Sequence, residues 1–320
     1  MAEEIALAEA AGLYFPVGGT TGAPGLIRGL RSVTFFKEFA EAIANFCPQA
    51  WVINYTNPMS ICTRTLTRVA PEIKVFGCCH EVFATQRMLA RLAGKYLDIE
   101  TPQPNEIQVN VLGINHFTWV DCATYQGHNL LELLRQHVAQ PGFVRSPETL
   151  FRWGVIRTPV GWRIERWRNA PQKTRDLMSG ATPLALKTSG EEGIGQIKAL
   201  VGLGDMVTNV NTENQGQIAN LPLRAVVETN AHFSRDQVRP LVAGALPNGL
   251  SALINQHSTH QELIIEAALT HDLAFQAFYN DPAHHLSIDE AWELFKKMVE
   301  IGREHLPGDS LSSRHHGSLS

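Results

Sequence analysis

Residues 51–58, Trp51-Val52-Ile53-Asn54-Tyr55-Thr56-Asn57-Pro58, decide how the chain is read. A short apolar run that breaks off into polar side chains has the form of a buried strand with functional groups at its carboxyl end. Pro58 suits the first turn of a helix, where its missing N–H is no loss. Met59, Ile61, Cys62 and Leu66 carry that helix on towards Pro71. The same phrase recurs downstream. Lys74-Val75-Phe76-Gly77 predicts a second strand, running into Cys78-Cys79-His80 and a helix to about Tyr96. Ile107 to Leu112 predicts a third, ahead of Gly113-Ile114-Asn115-His116. Upstream, Leu30, Val33, Phe36, Ala40, Ile43, Ala44 and Cys47 recur at helical spacing, and Met1 to Gly12 reads as a further helix.

Strand and helix in alternation predict an α/β fold, a parallel sheet with helices on both faces. Ligands bind such sheets at the carboxyl ends of strands. Asn57, Cys79 and His116 all fall just past strand ends, a placement that allows them to converge.

Beyond residue 117 the rhythm changes. Helical patterns cover Asn129 to Ala139 and Leu250 to Leu269, with a Gly/Asn-rich stretch from Gly202 to Pro222 between them. Ser287 and Glu290 form a capping box that opens a helix from Ile288 to Ile301. The expected organisation is a partial Rossmann-like parallel sheet over residues 1–116, then a mainly helical α+β catalytic and oligomerisation domain over 117–306. A polar tail, 307–320, is expected to be disordered. No internal repeat is evident.

Composition narrows the function. The 320 residues carry a net charge of −4 and show no basic stripe, which argues against nucleic acid as a partner. No apolar run is long enough to cross a bilayer. The start, MAEEIALAEAAG, lacks the basic-then-apolar order of a signal peptide. Five cysteines in a chain this long do not make a disulfide framework. The default is a cytoplasmic enzyme.

Cys79-His80 with His116 is the sharpest chemical signal. A thiolate and an imidazole both bind divalent transition metals, and both must be deprotonated to do so. The plainer reading makes Cys78 and Cys79 buried small hydrophobes. Asn54 and Asn57 could hydrogen-bond a sugar or a nicotinamide ribose; alternatively Asn57 caps the helix that Pro58 opens. Gly18 to Gly25 is a flexible loop whose order is not G-x-G-x-x-G. His257 and His260 share a helix face and are followed by Glu262, but they lack the H-E-x-x-H order of metalloproteases, so ordinary helix histidines are the better reading. Glu191-Glu192 could supply a general base, or be a solvated acidic pair at a helix start.

These segments together resemble the family 4 glycoside hydrolases. The resemblance rests on Gly25 to Arg31, Asn54 to Met59, Gly77 to Val82, Gly113 to His116, Ser189 to Glu191, Gly216 to Pro222 and Gln261 to Leu269, in that order. It implies an enzyme outside the usual two-carboxylate scheme, with NAD on a Rossmann domain and a divalent metal, usually manganese, at a Cys/His site. Hydride leaves C3 of the sugar, a base takes the acidified C2 proton, and the C1 substituent is eliminated; water then adds and hydride returns. By the same resemblance Cys79 and His116 are the metal ligands, Asn57 contacts substrate and Asn54 lies near the nicotinamide. His80 assists the leaving group. Where several branches place a tyrosine base this sequence has Glu191 and Glu192, with Glu192 aligning better. The Cys-His-Glu-Val form resembles the branch that acts on unphosphorylated α-glycosides, α-galacturonides in particular. A small-molecule glycoside is the expected partner, and a homodimer or homotetramer the expected assembly.

The resemblance also carries an expectation about the amino-terminal side. Nothing before Gly18 reads as the strand and Gly-rich turn that grip a pyrophosphate, so the chain is expected to begin inside the Rossmann sheet. Poor solubility and weak NAD binding would follow. Two other functions stay open at this level: a non-catalytic remnant that oligomerises with intact homologues, and a 2-hydroxy-acid dehydrogenase-like oxidoreductase. The thiolate–imidazole pair speaks against the latter.

Overall fold

A computed structural model describes residues 2–13, 22–139, 151–152, 155–157, 192–282 and 284–306. The chain opens with helices α1 (Ala2–Ala10) and α2 (Gly22–Phe46), then β1 (Trp51–Asn54), α3 (Met59–Val69), β2 (Lys74–Gly77) and α4 (Glu81–Leu97). A hairpin follows, β3 (Gln108–Ile114) and β4 (Phe117–Tyr125), then β5 (His128–Asn129) and α5 (Leu130–Val138). The short β6 (Phe151–Arg152) and β7 (Val155–Arg157) precede α6 (Gly193–Leu200), β8 (Met206–Glu213), β9 (Val226–Ser234) and β10 (Gln237–Pro240). Helices α7 (Asn248–Thr270), α8 (Ala274–Tyr279) and α9 (Ile288–Gly302) complete the described chain.

The chain is α/β, as expected, but the sheet is mixed rather than parallel throughout. One sheet has the order β1-β2-β8-β9-β10, and β8 lies antiparallel to β2, with Gly77 opposite Asn211. β9 and β10 follow β8 through turns instead of crossover helices, so they too pair antiparallel. The second sheet runs β3-β4-β7-β6, with β5 on β4. The Gly/Asn-rich stretch from Gly202 to Pro222 contains strand β8.

Two compact units divide the chain. The first takes the described residues of Met1–Val75 and Gln256–Ser320; the second takes those of Phe76–Val160 and Ser189–Asn255. In the first, the buried stripe of α2 (Leu26, Ile27, Leu30, Val33) packs with Ile264 and Ile265 of α7 and with Phe278 and Phe295. Gly29 makes this approach possible: a Cβ there would lie 3.0 Å from Ile264 Cγ2 and 3.1 Å from Ile61 Cδ1. α9 begins at the capping box read from sequence, with Ser287 and Glu290 bonded reciprocally. In the second unit, Leu89, Ala93, Val120 and Leu134 form one core and Leu112, Trp119, Val227 and Ile254 another. Phe76 meets Phe233 edge-on at 5.2 Å between ring centroids. Among the described residues no helix is long and apolar enough to cross a membrane.

Candidate active site

The end of β2 delivers Cys78 and Cys79, and His80 occupies the N-cap position of α4. β3 and β4 are joined by a two-residue turn, Asn115-His116, since Ile114 pairs directly with Phe117. His116 adopts the left-handed conformation, φ 62°, which non-glycine residues enter rarely and mostly at turns and functional sites. Gly113 precedes it at φ 146°, where a Cβ would meet the Phe117 carbonyl oxygen at 2.6 Å. Only glycine lets the strand pass there.

These two elements bring Cys79, Glu81 and His116 together, with one ligand atom from each inside a 4.8 Å span. Cys79 and Glu81 are buried and His116 is half-buried. The Glu81 backbone N–H at the start of α4 and the Asn115 side chain both favour negative charge on the Cys79 sulfur. Burial nevertheless pushes the Cys79 thiol well above its usual range, with the carboxyls of Glu228 and Glu81 adding to the effect. Thiolate, carboxylate and imidazole together would concentrate negative charge and lone pairs in a buried space. That donor set fits a divalent cation, which deprotonates a coordinating thiol outright. Three protein ligands would leave positions for substrate oxygens.

Of the residues expected from sequence, Cys79 and His116 do meet. His80 is exposed at the helix start. Glu81, the third residue of the Cys-His-Glu-Val motif, joins them; its signal was its place two residues after a candidate ligand. Asn54 and Asn57 belong to the first unit. Asn54 is buried and locked into its own loop: its Oδ1 accepts from Thr56 N (2.8 Å) and its amide donates to Thr63 Oγ1 (3.1 Å). Asn57 does not cap α3, whose N-cap position falls on Pro58 without a side-chain cap. Its Oδ1 is buried with no hydrogen-bond partner among the described residues, and so can accept from a ligand hydroxyl or amide.

Glu192 precedes α6 and is half-buried, not a solvated helix-start acid. It lines a cavity of about 460 Å³ in the second unit with Phe83, Gln86, Thr208, Asn209 and Asn230. Burial raises the Glu192 carboxyl above its ordinary range, against a hydrogen bond from Thr208. Amide groups around one tunable carboxyl suit a polyhydroxylated ligand. Glu191 and the loop from Gly18 to Thr21 lie outside the described residues. His260 is a satisfied core histidine: its Nε2 is 2.6 Å from the Ala277 carbonyl oxygen and its Nδ1 3.7 Å from Asp281. Glu262 pairs with Arg64 at 2.7 Å.

Sequence reasoning missed a residue beneath the cluster. Glu228 on β9 is fully buried and accepts from Thr118 Oγ1, from Asn209 Nδ2 (2.9 Å) and from Asn211 Nδ2 (3.1 Å). Burial raises its carboxyl too, and the three donors oppose that.

A cluster able to hold a metal ion and a polar cavity with a half-buried carboxyl lie in one unit of this α/β chain, and comparison with known proteins makes the class specific. The chain belongs to family 4 of the glycosyl hydrolases: the pattern described as Family 4 glycosyl hydrolase matches residues 1–95, and that of the family's C-terminal domain matches residues 155–284. An alpha-galacturonidase of Bacillus subtilis (strain 168) is 41% identical over 94% of this chain and 78% of its own length. The alpha-galacturonidase of Thermoanaerobacterium saccharolyticum is 40% identical over 96% of this chain and 77% of its own. Among solved structures, Bacillus subtilis lplD, described as a glucosidase, matches with a TM-score of 0.78 at 40% identity, covering 93% of this chain and 80% of that one. The 6-phospho-beta glucosidase of Thermotoga maritima, solved with manganese, NAD+ and glucose-6-phosphate, shares the fold: TM-score 0.80, 20% identity, 95% of this chain and 78% of that one.

Proposed function

We propose that this chain hydrolyses α-galacturonides with NAD and a divalent ion such as Mn²⁺. The observation that carries the reading is the convergence of Cys79, Glu81 and His116. The substrate class is favoured by relatives: those named alpha-galacturonidase reach 38–41% identity, against 28% for an alpha-galactosidase and 25% for a probable 6-phospho-beta-glucosidase.

When bound, NAD would accept hydride from C3 and the metal ion would stabilise negative charge on the C2 and C3 oxygens. This chain's own groups would do the rest. Cys79, Glu81 and His116 would hold the ion. Asn57 would accept a hydrogen bond from a substrate hydroxyl, and Asn54 would shape the loop near the nicotinamide. Glu192 would take the C2 proton, a role that a carboxyl raised by burial suits. His80 would protonate the departing group. The reading includes a cytoplasmic setting and a homodimer or homotetramer; Phe39 and Phe46, 52% and 87% exposed on α2, support assembly.

Release of galacturonate from a chromogenic α-galacturonide, with and without NAD⁺, Mn²⁺ and chelator, tests the proposal. Turnover that needs both additions supports it. A folded sample that binds NAD⁺ and Mn²⁺ yet leaves α-galacturonides intact overturns the substrate assignment. Binding of neither would overturn the cofactor assignment as well.

A further inference from the structure

We propose that Glu228 is the positioning residue that sets the spacing of the metal ligands, an inference that rests on the metal reading above. The carboxyl lies wholly inside the second unit, where burying a polar group without partners is unfavourable. Its partners reach both halves of the cluster. On one side, Thr118 Oγ1 bonds Glu228 Oε2 and lies 3.0 Å from the Ile114 carbonyl oxygen, bracketing the turn that presents His116. On the other, Asn209 spends one amide N–H on Glu228 Oε1 (2.9 Å) and points to the Cys79 carbonyl oxygen (3.2 Å). Asn211, opposite Glu228 across β8 and β9, fixes the carboxyl itself. One side chain thus ties the β3–β4 turn to the β2–α4 loop, although neither segment pairs with β9 through those residues. An apolar side chain of equal size would fill the space but release both.

A purely structural role would bury the carboxyl among the same three donors. The two differ in what they move: a structural role changes the melting transition, whereas a positioning role changes metal affinity in protein that remains folded. Mn²⁺ affinity of the full chain is read from the free-ion electron paramagnetic resonance signal. Cobalt substitution, followed by the thiolate-to-metal absorption band, reports ligand geometry. E228L is expected to weaken Mn²⁺ binding about 10–100-fold, the range for outer-sphere partners of metal ligands, and to shift the cobalt band. E228Q keeps an acceptor for both asparagines and offers an N–H to Thr118, so its Mn²⁺ affinity should stay much closer to the parent's than that of E228L. T118V and N209A each remove one arm and should fall between; they decide the matter if E228L does not fold. Parental affinity and an unshifted cobalt band in every folded variant would overturn the proposal, as would E228Q binding no better than a folded E228L. If the parent binds neither ion, the metal reading itself fails, an outcome no variant comparison can imitate.

Discussion

The ligand atoms of Cys79 and His116 lie within 4.8 Å of each other, one placed by a loop after a strand and the other by a hairpin turn. The backbone of two separate elements fixes the pair, and each element can be tested independently.

Direct removal of a ligand is the first test. C79S and H116A should each lower Mn²⁺ affinity by more than about 100-fold, exceeding the effect of outer-sphere changes. Isothermal titration of folded variants checks this; unchanged affinity in both would remove the cluster from consideration.

The turn can be perturbed without touching a ligand. G113A places a methyl group against the Phe117 carbonyl at a backbone angle that L-residues avoid. A destabilisation of about 1–3 kcal/mol is expected, together with weaker metal binding, measured by denaturant melts and titration on the same preparation. As a contrast, N129A removes the cap of α5, whose Oδ1 accepts from Leu131 N and Glu132 N. It should cost about 1 kcal/mol and leave metal affinity unchanged.

Metal affinity should depend on pH. The Cys79 thiol is held well above its usual range, first by burial and then by Glu228, so at neutral pH binding must displace its proton. Affinity should therefore rise with pH, by about tenfold per unit for each proton released. The metal-free protein should behave oppositely. Its folded state keeps a thiol proton that the unfolded chain sheds, so this group's contribution to stability falls as pH rises through the ordinary thiol range. A flat profile of metal affinity from pH 6 to about 8.5 would mean that the thiol is not a ligand.

Glu192 makes a kinetic prediction. A general base must be ionised, and burial raises this carboxyl, so turnover should fall on the acid side at a pH above the normal carboxylate range. E192Q should lose that limb and reduce kcat by about 10²–10⁴-fold. Exchange of the substrate C2 proton with deuterated solvent provides the check: exchange that persists in E192Q assigns the base elsewhere.

What could be read from sequence was local. The runs at residues 51–53 and 74–77 gave strands because each is apolar and ends in polar groups, and Ser287 with Glu290 marked a helix start by its own chemistry. Cys79 and His116 were legible for the same reason, each standing beside a strand end. Asn209 and Asn211 were not. Asparagine is depleted in strands, and the Gly/Asn-rich stretch that holds them carried no strand expectation, yet both lie in β8, where a buried carboxyl from β9 gives their amides an acceptor. Glu228 itself sits in a sequence of no motif, Val227-Glu228-Thr229-Asn230. Its meaning depends on the register of β8 with β9 and on Thr118, 110 positions away, and no window of local sequence contains that.

The division of the chain into units has a consequence for synthesis. The described parts of the unit that carries Cys79, Glu81 and His116 all precede residue 256, whereas the core of the other unit joins α2 to α7, α8 and α9. A ribosome moving from the amino end therefore finishes the chemical unit first. Leu26, Ile27, Leu30 and Val33 must wait for partners made last, and during that interval they are the surface a chaperone would hold. Pausing in translation after Asn255 should lengthen that exposure, with Cys79, Glu81 and His116 already synthesised.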